Sequence, residues 1–230
     1  MIRLRRDRVQ NYYYLFDHET GIAIRWGKDN REPFWREEGP ELLDISITSY
    51  CEKECEFCYR KANRNGYFME FPLYEEIMEQ AEKAGVQQIA LGGGNPNQHP
   101  EFWRFLKTAM TFEKCKIGFD SCMISWLVKH RELIAEESVD YCEAGRFSAF
   151  ISERGLVYPC SFLSGDESAG DFIRERSLTE IWKNSMVFND MRERLMALTR
   201  QKAPISRCMN CVDYPLCHGG CQIFPINRCI

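Results

Sequence analysis

Long apolar runs are missing from this 230-residue sequence. None reaches the roughly 20 residues that a membrane-spanning helix needs. The basic start, MIRLRRDRVQNYYYLF, is not followed by the apolar stretch of a secretory signal. A surplus of one charge is missing too. Lys and Arg number 30 against 34 Asp and Glu, a net charge of −4, which gives no general surface for nucleic acid. Internal repeats and low-complexity segments are absent, so nothing points to a repeat array. These absences leave a soluble globular protein, expected in the cytoplasm, with no membrane or nucleic-acid partner. Against that plain background stand twelve cysteines. Disulfides are rare in the cytosol, so metal binding is the leading explanation. A secreted disulfide protein is the alternative, and the missing export signal speaks against it.

The patterning gives an order of elements. NYYYLFDHETGIAIRW (11–26) reads as a hairpin with a turn ending at Gly21. Residues 29–41 are polar, contain Pro33 and Pro40, and read as a linker. LLDISITS (42–49) alternates Leu43, Ile45 and Ile47 as a strand does. YEEIMEQAEKAG reads as a helix stopped by Gly85, and VQQIALGGGNP as a strand running into a glycine loop. A second helix is expected at 101–112, a short strand at 116–120 (KIGFD), and a helix in MISWLVKHRELIAE. Strands alternating with helices are the pattern of a parallel α/β sheet. From Ser138 the character changes. RFSAFISERGLVYPC reads as a hairpin turning at 153–155, SLTE from Ser177 as a capping box, and 189–200 as a further helix.

Cysteine enters as SYCEKECEFCYRKAN. Cys51, Cys55 and Cys58 fall within one short loop directly after a strand. Thiolates at close spacing hold iron–sulfur clusters. Three of them on a four-iron cluster leave one iron without a protein ligand, and an open position is what separates catalytic from structural metal sites. The alternative is a zinc site borrowing a fourth ligand. The C-x3-C-x2-C spacing with Phe57 before the last cysteine resembles the radical S-adenosylmethionine (SAM) superfamily. That resemblance implies a [4Fe-4S] cluster on Cys51, Cys55 and Cys58 whose open iron is chelated by SAM. It implies reductive cleavage of SAM to a 5′-deoxyadenosyl radical, with Phe57 near the adenine. The family's Gly-Gly-Glu-Pro loop, which meets the methionyl amino group, corresponds to Gly93, Gly94, Asn95 and Pro96. Asn95 replaces the charged glutamate but still offers a carbonyl acceptor, and glycines let backbone approach a ligand.

A third pattern lies at the back. Cys142-x12-Gly155-x4-Cys160 is followed by Cys208-x2-Cys211-x5-Cys217-x3-Cys221 and Cys229. These spacings resemble the SPASM domain, an auxiliary-cluster module found behind many radical SAM peptide-modifying enzymes. The resemblance implies two auxiliary [4Fe-4S] clusters, one on Cys208, Cys211, Cys217 and Cys229, the other on Cys142, Cys160 and Cys221. Gly155 is expected at a positive φ in the hairpin that delivers Cys160. A zinc ribbon of the last five cysteines is the alternative, and it leaves Cys142 and Cys160 unexplained. Cys122 is open between a fourth cluster ligand, a thiol near the radical site and a small buried hydrophobe; Cys115 reads as packing. His99 and His218 read as surface groups or groups behind the site, not as catalysts.

The expected fold is therefore a shortened partial (β/α) barrel of radical SAM type followed by a small α+β cysteine-rich SPASM domain. The expected boundaries are a hairpin extension and linker at 1–41, a core at 42–137 and the auxiliary domain at 138–230. The core is short: 47 residues separate Gly94 from Cys142, and a βαβ unit takes about 30. A sheet so reduced would leave an exposed edge: the chain is a compact variant with a reduced SAM site, or is completed by a partner or a second copy, or is a degenerate product that binds clusters without turnover. The expected activity is that of an oxidoreductase-like enzyme that modifies a peptide or protein substrate, with an electron donor as a further partner. A non-catalytic iron–sulfur electron-transfer or partner subunit is the alternative. The N-terminal hairpin either caps the barrel's open end or adds a peptide as an extra strand. Both functional readings require iron together with acid-labile sulfide in protein purified without oxygen. Elemental and sulfide analysis checks this, and zinc without sulfide would remove both.

Overall fold

Two sheets arise from runs of branched and aromatic residues broken by polar turns. The computed structural model describes residues 2–7, 10–17, 22–27, 33–53, 55–56, 58–112, 142–199, 208, 210–212, 214, 221 and 223. β1 (Ile2–Asp7), β2 (Tyr12–Asp17) and β3 (Ala23–Gly27) form an antiparallel sheet in that order. The expected hairpin is β2 and β3. β1 was hidden by its composition, IRLRRD, in which arginines mask the alternation. On β2, Tyr12, Tyr14 and Phe16 are buried and their neighbours are not.

The second sheet contains β4 (Leu42–Thr48), β5 (Gln88–Gly93), β6 (Ser148–Ile151), β7 (Leu156–Tyr158) and β8 (Asp171–Phe172), in the order β5-β4-β6-β7-β8. β4 is parallel to both β5 and β6, and the remaining pairs are antiparallel. Helix α1 (Phe71–Lys83) connects β4 to β5, and α2 (Phe102–Phe112) follows β5. Helices α3 (Leu178–Asn184) and α4 (Met186–Thr199) come after β8. Half of the expected capping box forms: Ser177 Oγ accepts from the Glu180 amide, while the Glu180 carboxylate accepts from Arg176 Nε at 3.2 Å. The strand expected at 116–120 and the helix after it lie outside the described residues.

This mixed sheet runs across the boundary expected at residue 138. So does the core, in which Leu43, Ile45 and Ile47 of β4 meet Tyr74 and Ile77 of α1, Phe105 of α2, Val157 of β7 and Trp182 of α3. β4 lies inside the sheet, since β6 pairs with it from Leu42↔Ser148 to Ile45↔Ile151, and β5 is the terminal strand among the described residues. Patterning alone marks the β6–β7 hairpin but not the strand it joins, since that pairing spans a long stretch of chain.

The stretch read as a linker is packed from Pro33 onward. Trp35 lies against the core and Arg36 is buried. The Arg36 guanidinium donates to the carbonyls of Ala84 (3.4 Å) and Gly85 (3.0 Å). Arg5 Nη1 donates to the same Gly85 carbonyl at 2.6 Å. Both cations thus meet the negative end of α1, which Gly85 terminates at φ +66°. The Arg36 carbonyl in turn accepts from Trp182 Nε1 at 2.6 Å.

The N-terminal sheet docks through polar contacts. Tyr12 donates to Glu41 at 2.7 Å, Arg25 donates to Glu41 and Glu143 at 2.6 Å each, and Gln88 donates to the Tyr14 hydroxyl at 2.6 Å. Burial works against the Arg25 charge, but Glu143 and Glu41 outweigh it and keep the guanidinium protonated. Glu41 and Gln88 stand where β4 and β5 begin, so the small sheet covers the end of the large one that is away from Cys51. Trp182→Phe keeps most of the ring but strands a buried carbonyl. It should cost about 1–3 kcal/mol, whereas Trp182→Ala should cost about 3–5 kcal/mol; urea midpoints at constant m-value check both.

Candidate functional site

The front cysteine loop grows out of the C-terminal end of β4. The β4–β5 register shifts between Ser46 and Thr48, just where the loop departs. Thr48 Oγ1 donates to the Tyr67 carbonyl (2.7 Å) and accepts from the Tyr50 amide (2.9 Å). The loop then closes on itself: the Cys51 amide donates to the Asn63 carbonyl at 3.0 Å, and the Ser49 amide to the Tyr67 carbonyl at 2.9 Å. Within it, the Cys58 amide donates to the Cys55 carbonyl at 3.0 Å, a tight turn. Cys51 is buried, Cys58 half-buried and Cys55 exposed. Phe57 lies outside the described residues.

The glycine loop packs directly against this base. The Gly94 amide donates to the Thr48 carbonyl (2.7 Å) and the Asn95 amide to the Tyr50 carbonyl (3.0 Å). A Cβ on Gly93, at φ +129°, would collide with the Thr48 carbonyl, and one on Gly94 with that of Tyr50. The structure thus gives these glycines a role in loop-to-loop packing, beside the ligand approach read from the sequence. The Asn95 side chain is partly exposed and makes no hydrogen bond among the described residues. Pro96 opens a 3-10 turn, Pro96–Gln98. His99 is buried. Its Nδ1 accepts from the Glu101 amide at 3.0 Å, so Nε2 carries the proton and donates to the Met69 carbonyl at 3.0 Å. With both nitrogens engaged it is a packing residue.

Three side chains that patterning did not single out lie beside the loop. Arg60, two residues past Cys58, is 5% exposed at its side chain and pairs with Glu153 at 3.0 Å. Ser46 lies 2.9 Å from Arg60 Nη2 and 3.0 Å from the same carboxylate. An arginine in a polar loop and a glutamate in a turn read as solvated groups, so no sequence signal marks this pairing.

Glu153 belongs to the β6–β7 turn, where Gly155 adopts φ +82° as expected. That hairpin delivers Cys160. Cys160, together with Ala144 (two residues past Cys142) and Ile223 (two residues past Cys221), packs in one small apolar cluster around Met191 and Leu195. Cys142 is exposed, yet loss of hydration raises its thiol pKa above the ordinary value, the Ala144 backbone amide opposing this and the Cys221 thiol adding to it. The Cys211 amide donates to the Cys208 carbonyl at 3.3 Å, again a tight turn. Cys115, Cys122, Cys217, His218 and Cys229 lie outside the described residues. All eight described cysteines are free thiols. Among the described residues no group of three or more His, Cys, Asp or Glu is placed to hold a metal ion. Soft sulfur donors on short, backbone-closed turns fit an iron–sulfur cluster, which seats each thiolate on its own iron.

Comparison with known proteins follows the same division. The Radical SAM superfamily model matches residues 45–144, and the SPASM iron-sulfur cluster-binding domain model matches residues 142–212. The mycofactocin maturase MftC of Mycobacterium tuberculosis is 33% identical over 85 residues, 36% of this chain and 20% of that protein. The matched stretch thus spans about a fifth of the relative's length. Streptococcus suis SuiB bound to precursor peptide SuiA superposes with a TM-score of 0.64 at 13% identity, covering 96% of this chain and 94% of that one. BtrN in complex with AdoMet and 2-DOIA superposes with a TM-score of 0.51 at 16% identity, covering 75% and 93%. At such identities the likeness is one of fold. No helix among the described residues is long and apolar enough to cross a membrane. Replacing Cys51, Cys55 and Cys58 together by alanine should remove about four iron atoms per chain and leave the remaining iron bound; iron and sulfide assays on the reconstituted variant check this.

Proposed function

Because this chain is a radical SAM protein with a SPASM domain, we propose that it modifies a peptide or protein substrate through SAM-derived radical chemistry. A four-iron cluster with one open iron, when bound together with SAM, supplies a 5′-deoxyadenosyl radical. The chain's own part is to hold and orient. Cys51, Cys55 and Cys58 would hold the cluster, on a loop whose base is tied to β4 by backbone hydrogen bonds. Asn95, whose side-chain amide makes no hydrogen bond among the described residues, would accept from the methionyl amino group of SAM, and Phe57 would lie against the adenine. One observation carries the reading: two loops from the C-terminal ends of adjacent parallel strands are hydrogen-bonded to each other, one bearing three thiols and the other a side-chain amide with no partner among the described residues. In open parallel sheets that end is where ligands bind.

The auxiliary domain would carry two clusters, on Cys142, Cys160 and Cys221 and on Cys208, Cys211, Cys217 and Cys229. Their role would be to take up the electron released or to hold the substrate. The apolar cluster that gathers Cys160 with the neighbours of Cys142 and Cys221 supports the first set, and the Cys208–Cys211 turn supports the second. A peptide substrate is favoured because SuiB, similar in fold over almost the whole chain, was solved with a precursor peptide, and because MftC is a maturase. An electron donor follows from the chemistry. A shortened barrel completed by a second copy or a partner belongs to the same proposal.

Reconstituted protein given SAM and a strong reductant without oxygen should release 5′-deoxyadenosine. None at full cluster loading would overturn the enzyme reading in favour of an electron-transfer or partner subunit. Asn95→Ala should weaken SAM binding severalfold, and Asn95→Glu, which restores the family's carboxylate, should tighten it by about tenfold; equilibrium binding of SAM to the loaded protein checks the direction.

A further inference from the structure

Arg60 joins the front cysteine loop to the auxiliary hairpin by side-chain hydrogen bonds. It leaves the front loop two residues after Cys58. Its Nη1 donates to Ser164 Oγ at 2.9 Å, four residues past Cys160, and its Nη2 pairs with Glu153 at 3.0 Å in the turn before that cysteine. The same Nη2 donates to Ser46 on β4 at 2.9 Å. The guanidinium also lies 4.6 Å over the Phe150 ring of β6. Next to it, Tyr59 meets Phe162 edge-on at 4.8 Å. The side chains of Arg60 and Glu153 are 5% and 11% exposed, so solvent competes little for this pair. A planar fork with fixed donor directions binds three partners only when they stand in one arrangement.

We propose that Arg60 is a positioning residue that locks the front cysteine loop to the auxiliary hairpin, so that the two iron–sulfur sites are held at a fixed separation and orientation. This rests on the cluster-binding reading above, but not on SAM cleavage. Loop-on-loop contacts among aromatic rings tolerate sliding; an ion pair shared with two hydroxyls does not. Arg60 would also set the surroundings of the front cluster, because its charge is balanced by Glu153 from the other arm. Hydrogen bonding and net charge near a cluster tune its electronic properties.

The test uses the full reconstituted chain, with Arg60→Met, Arg60→Lys and Glu153→Gln. In Arg60→Met, amide hydrogen exchange should quicken about tenfold or more in both 58–66 and 161–166, while α4 stays unchanged. Arg60→Lys, which keeps the charge but cannot span all three partners, should restore protection in one arm at most. Quickening confined to the cysteine loop, or absent from both arms, would overturn the proposal. If Arg60→Met does not fold, the isosteric Glu153→Gln decides, and both arms should again loosen. Glu153→Gln has a second readout that a merely local structural role would not move. The reduced-cluster EPR signal that disappears in the Cys51/Cys55/Cys58 alanine variant should change shape, with iron content unaltered. An unchanged signal would likewise sink the coupling. If no 5′-deoxyadenosine forms in any variant, the functional reading fails while exchange and EPR still judge the clamp.

Discussion

The rest of the structure depends on the double parallel pairing of β4. β6 pairs with Leu42 to Ile45, β5 follows the strand to Thr48, and Thr48 is also bridged to Phe68, so the strand's backbone groups are committed and its end is fixed in space. Whatever leaves its C-terminal end therefore starts from a rigid point. Here that departure is the front cysteine loop, and the neighbour on one side, β5, ends in the glycine loop that is hydrogen-bonded to it. The neighbour on the other side, β6, begins the hairpin that leads to Cys160. The cysteine loop, the glycine loop and the β6–β7 turn with Glu153 thus leave one sheet side by side, while Cys160, after the antiparallel β7, lies toward the end where β4 begins.

The opposite end of β4 is closed by different physics. Tyr12, Arg25 and Glu41 make a buried polar contact, and Arg5 and Arg36 complete the C-terminus of α1. Arg36 then hands its own carbonyl to Trp182, whose ring stands in the main core. The N-terminal sheet, the first helix and the third helix are linked through one residue of a segment that reads, by composition, as a connector. Proline and charge mark where a chain stops being helix or strand; they do not say whether it is then exposed.

That distinction separates what was legible in the sequence from what was not. Local periodicity disclosed β2, β3, β4, α1, β5, α2 and the β6–β7 hairpin, because each buries a face with a period of its own. The glycine stop at Gly85 and the positive φ at Gly155 were legible for the same reason, each being a local backbone demand. The cysteine spacings marked the candidate site. What stayed hidden was long-range: that β6 joins β4, that Arg36 caps a helix almost fifty residues away, and that Arg60 meets Glu153. Arg60 and Glu153 look alike in sequence whether solvated or buried together, since pairing is a property of the fold and not of either residue.

β4 also shows how one strand serves two ends. Its odd positions, Leu43, Ile45 and Ile47, are fully buried among apolar side chains and tie the sheet to α1. Its even positions include Ser46 and Thr48, equally buried but hydrogen-bonded: Thr48 to the base of the cysteine loop, Ser46 to Arg60 and Glu153. Burying a hydroxyl without a partner is costly, so each of these residues confines the groups around it. The apolar face holds the fold together without specifying direction, since hydrophobic contacts are non-directional. The polar face supplies the direction, and it does so at the end of the strand where the thiols stand. Substituting alanine for Ser46 or Thr48 would spare the apolar core and still loosen the arrangement of the loops.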